Sequence, residues 1–116
     1  MIQLSPHMRI FVHVEPVDFR NGIDGLAGLC RSRLRQDPMS GAVFLFINRR
    51  RTSIKLLAYD GQGFWQCQKR LSQGSIRFWP RGDVPLTAPQ AQILLYNGDP
   101  FAGNIAPAWK PLPMAM

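Results

Sequence analysis

Two apolar runs, Gly41 to Ile47 (GAVFLFI) and Ser53 to Tyr59 (SIKLLAY), stand on either side of the polar break Asn48 to Thr52 (NRRRT). A break this short leaves the chain room only to reverse, so the two runs are expected to be antiparallel neighbours. The first run is apolar at odd and even positions alike, as in a strand covered on both faces or at the centre of a sheet. Asp60-Gly61-Gln62-Gly63 supplies a second turn, because Asp-Gly followed by another glycine offers the positive-φ positions of a hairpin. Phe64 to Leu71 (FWQCQKRL) then reads as a third strand, and Ser75 to Trp79 as a short fourth.

The flanks fit around this centre. Arg9 to Val14 (RIFVHV), rich in β-branched and aromatic residues, reads as an earlier strand. After it, Ile23, Leu26, Ala27, Cys30 and Leu34 recur at helical spacing and form one apolar stripe. Asn21 or Gly22 starts this helix and Asp37-Pro38 is expected to stop it. Thr87-Ala88-Pro89-Gln90 is a capping-box start for a short C-terminal helix that Asn97-Gly98 ends. The expected fold is therefore α+β: an antiparallel β-meander packed against one main helix, with a short second helix. Residues 1–98 form the single domain, and residues 99–116 are a Pro-rich tail expected to be extended or mobile unless docked on a partner.

No run approaches the roughly 18 apolar residues of a membrane span. The start, Met1-Ile2-Gln3-Leu4-Ser5-Pro6, lacks the basic-then-apolar order of a secretion signal, so a cytoplasmic location is expected. Cys30 and Cys67 then read as free thiols rather than a disulfide. With His7 and His13 they lack the paired short spacings of a zinc module, so no metal is expected. "GIDGLAG" lacks the lysine of a phosphate-binding loop and the full dinucleotide fingerprint, and no other cofactor motif is present.

Charge narrows the function. Fourteen Lys and Arg face seven Asp and Glu, a formal charge of +7 that attracts polyanions. Most of the excess lies between Arg31 and Arg81, where the acids are only Asp37 and Asp60. Arg49, Arg50 and Arg51 sit at the expected hairpin tip, where side chains fan out and can reach phosphates. Each phosphate so neutralised steepens the salt dependence of DNA binding by roughly 0.9 in the log–log slope. The bland alternative is a charged turn that stays in water and discourages edge aggregation.

Lys55, Lys69, Arg70, Arg77 and Arg81 extend the candidate set. Lys55 shares a strand face with Leu57 and Tyr59, Lys69 with Trp65 and Cys67, and Arg70 with Gln66 and Gln68. Arg77 and Arg81 flank Phe78-Trp79-Pro80, aromatics that can stack on bases but more often pack over a sheet edge. A metal-dependent nuclease needs several converging carboxylates. Of the seven acids, Asp18, Asp37, Asp60 and Asp99 sit in expected turns or beside proline or glycine, and Asp24 suits the first turn of a helix. The chain is not expected to be an enzyme.

These pieces together resemble the accessory proteins of insertion sequence 66 elements, called TnpB or second-ORF-like. The resemblance runs from about Ile10 to Asn97, through "EPVDFRNGIDGLAGL", "DPMSGAVFLFINRRRTSIKLLAYDGQGFW", "QKRLSQGSIRFWP" and "LTAPQAQILLYNGD". Ala58-Tyr59 and Gln66-Cys67-Gln68 are less aromatic than the family pattern. The resemblance implies an accessory protein of bacterial DNA transposition, encoded beside a separate transposase and unrelated to the RNA-guided nucleases that share the TnpB name. Two readings follow: a non-catalytic factor that holds the element's DNA ends through its arginines and lysines, or an adaptor that docks on the transposase through exposed aromatics and the tail. A nuclease-like enzyme is a weaker third.

Overall fold

In chain order the computed structural model, which describes residues 4–82 and 85–102, runs β1 (Ile10–Val12), α1 (Ile23–Ser32), β2 (Val43–Ile47), β3 (Ser53–Tyr59), β4 (Phe64–Arg70) and α2 (Ala88–Leu95). The strands form one four-stranded sheet in the order β1-β2-β3-β4. β2 to β3 and β3 to β4 are antiparallel, as their short turns demand. β1 is parallel to β2, so the sheet is mixed rather than wholly antiparallel. The physical reason is the connection: α1 lies between β1 and β2, and a crossover of that length returns a strand in the same direction.

β2 is the centre of the molecule. Its five residues alternate between two cores: Val43, Leu45 and Ile47 face one, Phe44 and Phe46 the other. All five are completely buried, and burying each such side chain contributes about 1.5–3 kcal/mol. Beneath the first face lie Ala88, Ala91 and Leu94 of α2; beneath the second lie Leu26, Ala27 and Cys30 of α1. The sheet is thus covered by one helix on each side. Desolvation in the α1 core pushes the Cys30 thiol up to about 12.

Two elements end differently from expectation. α1 stops at Ser32, well before Asp37-Pro38, because Arg35 takes a left-handed φ of 54° and the Gln36 amide donates back to the Cys30 carbonyl at 3.0 Å. An arginine in that conformation gives the sequence no glycine-like stop signal. Ser75 to Trp79 is not a strand but a loop folded over the α2 side, where Ile76 and Trp79 are buried. Its anchors are a backbone bond from Ile76 to the Arg51 carbonyl and an indole bond from Trp79 to the His13 carbonyl at 3.1 Å.

α2 begins with the expected capping box, in which Thr87 Oγ1 accepts from the Gln90 amide and Gln90 Oε1 accepts from the Thr87 amide. It ends at Leu95, and the chain turns away just beyond, through Asn97 with a φ of 62° and Gly98, whose amide donates back to the Ile93 carbonyl. Most of the Pro-rich tail, residues 103–116, lies outside the described residues, as do residues 1–3 at the start.

Candidate nucleic-acid interface

The turn between β2 and β3 is held by one neutral side chain. Asn48 Oδ1 accepts from the amides of Thr52 at 2.8 Å and Ser53 at 3.0 Å, while Asn48 Nδ2 donates to Thr52 Oγ1 at 3.1 Å. This local wrapping leaves Arg49, Arg50 and Arg51 exposed at the tip. Arg51 adopts a φ of 58°, a left-handed conformation that suits glycine and disfavours an ordinary side chain.

Neighbouring segments bring further arginines to the same end of the sheet. Arg70 closes β4 opposite Ser53, and the next amide, Leu71, bonds to the Thr52 carbonyl at 2.9 Å. The Ile76 bond to Arg51 delivers Arg77 beside the turn. Arg51, Arg77 and Arg81 line one groove of about 470 Å3, which Glu15 and the buried Trp79 also border. Six of the eight expected site residues therefore converge: Arg49, Arg50, Arg51, Arg70, Arg77 and Arg81. Among the described residues, the guanidinium groups of Arg49, Arg50, Arg51, Arg70 and Arg81 have no hydrogen-bond or ion-pair partner, and that of Arg77 lies 5.8 Å from the Phe78 ring.

Besides Glu15, Asp18 stands close to this end. Val17 forms a parallel bridge with Asn48, so Asp18 follows directly beside the turn. Hydrogen bonds from the Arg20 side chain and backbone, helped by the charge of Arg49, hold the Asp18 carboxyl down at about 2. Arg20 pairs with it at 2.6 Å and remains highly exposed. Sequence reasoning passed over Arg20; the Asp-x-Arg spacing of residues 18 to 20 was its only signal.

Lys55 and Lys69 stand apart. Lys55 is only 5% exposed; its ammonium donates to the carbonyls of Phe19 at 2.8 Å and Asn21 at 3.0 Å and sits 4.8 Å from the Phe19 ring centre. It fastens the segment before α1 to the sheet. Lys69 points to the α2 side, donating to the Leu95 carbonyl at 2.6 Å and lying 4.7 Å from the Tyr96 ring. A cation there complements the negative end of the helix. Trp79 is buried, which leaves Phe78, 40% exposed, as the aromatic of its loop that a base could reach.

Among the described residues no three His, Cys, Asp or Glu side chains converge to hold a metal ion. No helix among them is long and apolar enough to cross a membrane.

Residues 8–101 match the family described as "IS66 Orf2 like protein". The chain is also similar to the uncharacterized protein y4jC of Sinorhizobium fredii, 37% identical over 99 residues that cover 84% of this chain and 85% of that protein. A second relative, the uncharacterized protein y4hO of the same organism, is 30% identical over 103 residues, covering 85% of this chain and 88% of its own length. No solved structure gives a significant match.

Proposed function

Because this chain belongs to the IS66 Orf2-like family of transposition-associated accessory proteins, we propose that it is a non-catalytic, cytoplasmic factor that binds the element's DNA ends beside a separate transposase. The observation that carries the reading is the gathering of Arg49, Arg50, Arg51, Arg70, Arg77 and Arg81 at one end of the sheet, with Glu15 and Asp18 as the acids near them. Guanidinium groups with no hydrogen-bond or ion-pair partner among the described residues retain their donors for phosphate oxygens. Phosphate contacts of this kind position a protein on a duplex without reading its bases. Lys55 and Lys69 are left out of the interface because backbone carbonyls already hold their ammonium groups.

The test is a salt titration on a duplex carrying the element's terminal repeat, with wild type and with Arg49, Arg50 and Arg51 all changed to alanine. The expected result is tight binding at low salt, with the variant roughly a hundredfold weaker and its log–log slope shallower by about 2–3. Binding absent at low salt, or a variant with unchanged affinity and slope, overturns the reading and favours the transposase adaptor.

A further inference from the structure

The two edges of the sheet are treated differently. Outside β1, Leu86 runs antiparallel to Ile10 and donates to its carbonyl at 2.9 Å, so that edge is covered. β4 has β3 on one side and no described segment on the other.

Which backbone groups β4 leaves open follows from the hydrogen bonds at its two ends. Asp60 donates to the Gly63 carbonyl at 3.1 Å, and Leu71 donates to the Thr52 carbonyl at 2.9 Å. In an antiparallel ladder hydrogen-bonded pairs alternate with non-bonded ones. Between these bonds the bonded pairs are therefore Ala58 with Trp65, Leu56 with Cys67, and Ile54 with Lys69. The N–H and C=O groups of Phe64, Gln66, Gln68 and Arg70 consequently point outward along an edge of seven residues with neither proline nor bulge. Natural proteins commonly blunt such edges.

We propose that β4 is a self-association edge: two copies of this chain pair antiparallel along β4 about a two-fold axis at Cys67, joining their sheets. The argument for a second copy is self-complementarity. In this register Phe64 faces Arg70 of the second copy, Trp65 faces its Lys69, Gln66 faces its Gln68, and the two Cys67 residues meet on the axis. Arg70 opposes the Phe64 ring, a favourable pair; Lys69 stands opposite Trp65 with its ammonium held on the Leu95 carbonyl, and the glutamines match amide to amide. Moving the axis to Lys69 would set Lys69 against itself, and like charges directly opposite are destabilising. Moving it to Gln66 or Gln68 runs one end of each strand past the other. Trp65 is already positioned, since its indole donates to Asp60 at 2.8 Å while 56% of the residue stays exposed. Cys67 falls at a non-hydrogen-bonded pair, where facing side chains come closest.

The pairing shares only Arg70 with the nucleic-acid reading, and its test uses the two cysteines. Cys67 is partly exposed, whereas Cys30 is buried with its thiol pushed up to about 12, which leaves it unreactive. A short bismaleimide adds each thiolate sulfur to one maleimide carbon, the proton returning to the adjacent carbon, so no oxidant enters. Light scattering of the full chain should give the mass of a dimer, and the reagent should trap that dimer in wild type but not in Cys67→Ser. Gln66→Pro removes an outward N–H without touching the bonds to β3, and should yield a folded monomer. Trp65→Lys places like charges across the axis and should weaken the dimer at least tenfold. Changing Arg49, Arg50 and Arg51 to alanine should leave it intact, which separates this result from the DNA test. A monomer at all concentrations overturns the proposal. So does a dimer that Cys67 does not cross-link, or one that both Gln66→Pro and Trp65→Lys leave unchanged.

Discussion

The turn joining β2 to β3 and the turn joining β3 to β4 are built on one device and differ in what it leaves over. Each is wrapped around the side chain of its first residue. Asn48 accepts from Thr52 and Ser53, whereas Asp60 accepts from Gln62, Gly63 and the Trp65 indole. Each also contains a positive φ, 58° at Arg51 and 97° at Gly61. The second turn fills that position with glycine and uses its own carboxylate internally. The first uses a neutral amide and carries an arginine where glycine would relieve about 1 kcal/mol of backbone cost. A turn needing geometry alone would resemble the second; the first retains a cation at conformational expense, as expected of a position chosen for what its side chain reaches.

Asn48→Ala is the hardest blow to this contrast. It strips the acceptor from the amides of Thr52 and the buried Ser53, and should lower stability by about 2–3 kcal/mol in urea unfolding. A loss below about 0.5 kcal/mol would mean the wrapping does not hold the turn. Gly61→Ala comes next. An added Cβ meets open space there, so the expected loss of about 1–2 kcal/mol is purely conformational. Arg51→Gly should do the opposite, with stability unchanged or raised by up to about 1 kcal/mol and the salt slope of DNA binding shallower by about 1. If it instead lost stability while DNA binding stood unchanged, Arg51 would be a structural residue.

The smallest effect separates the turns by pH. Hydrogen bonds from the Gln62 and Gly63 amides and the Trp65 indole hold the Asp60 carboxyl below its ordinary value of 3.8. A depressed folded value means a contribution fully present above 3.8 and lost as pH falls through the lowered value. Acid titration followed by NMR should therefore shift the Gln62, Gly63 and Trp65 indole protons together, and leave Thr52 and Ser53 still. Asp60→Asn should abolish that transition.

Much of this contrast could be read from residues alone. Asn48 to Thr52 and Asp60 to Gly63 are short enough to force reversals, and β3 spans the same residues that the apolar pattern marks. Thr87 and Gln90 announce their cap because both partners lie within one helical turn. What stayed hidden depends on distant residues. Nothing in Arg9 to Val14 says that β1 lies parallel to β2, since pairing direction is settled by α1 between them. Ile76 and Trp79 fit a strand until the Arg51 and His13 carbonyls, remote in sequence, claim their N–H groups. Of the site, the arginine tip was legible, whereas its union with Arg70, Arg77 and Arg81 required the fold. Lys55 deceived most. Its neighbours Ile54, Leu56 and Leu57 are buried on both faces of β3, so alternation could not tell inside from outside.

Lys55 has a practical use in the laboratory. Its amine is shut away beneath Phe19 and Asn21, so an acylating reagent should label the folded protein there only when that segment lifts from the sheet. The rate at which Lys55 becomes labelled is thus a clock for one local opening, readable by mass spectrometry without any engineered probe.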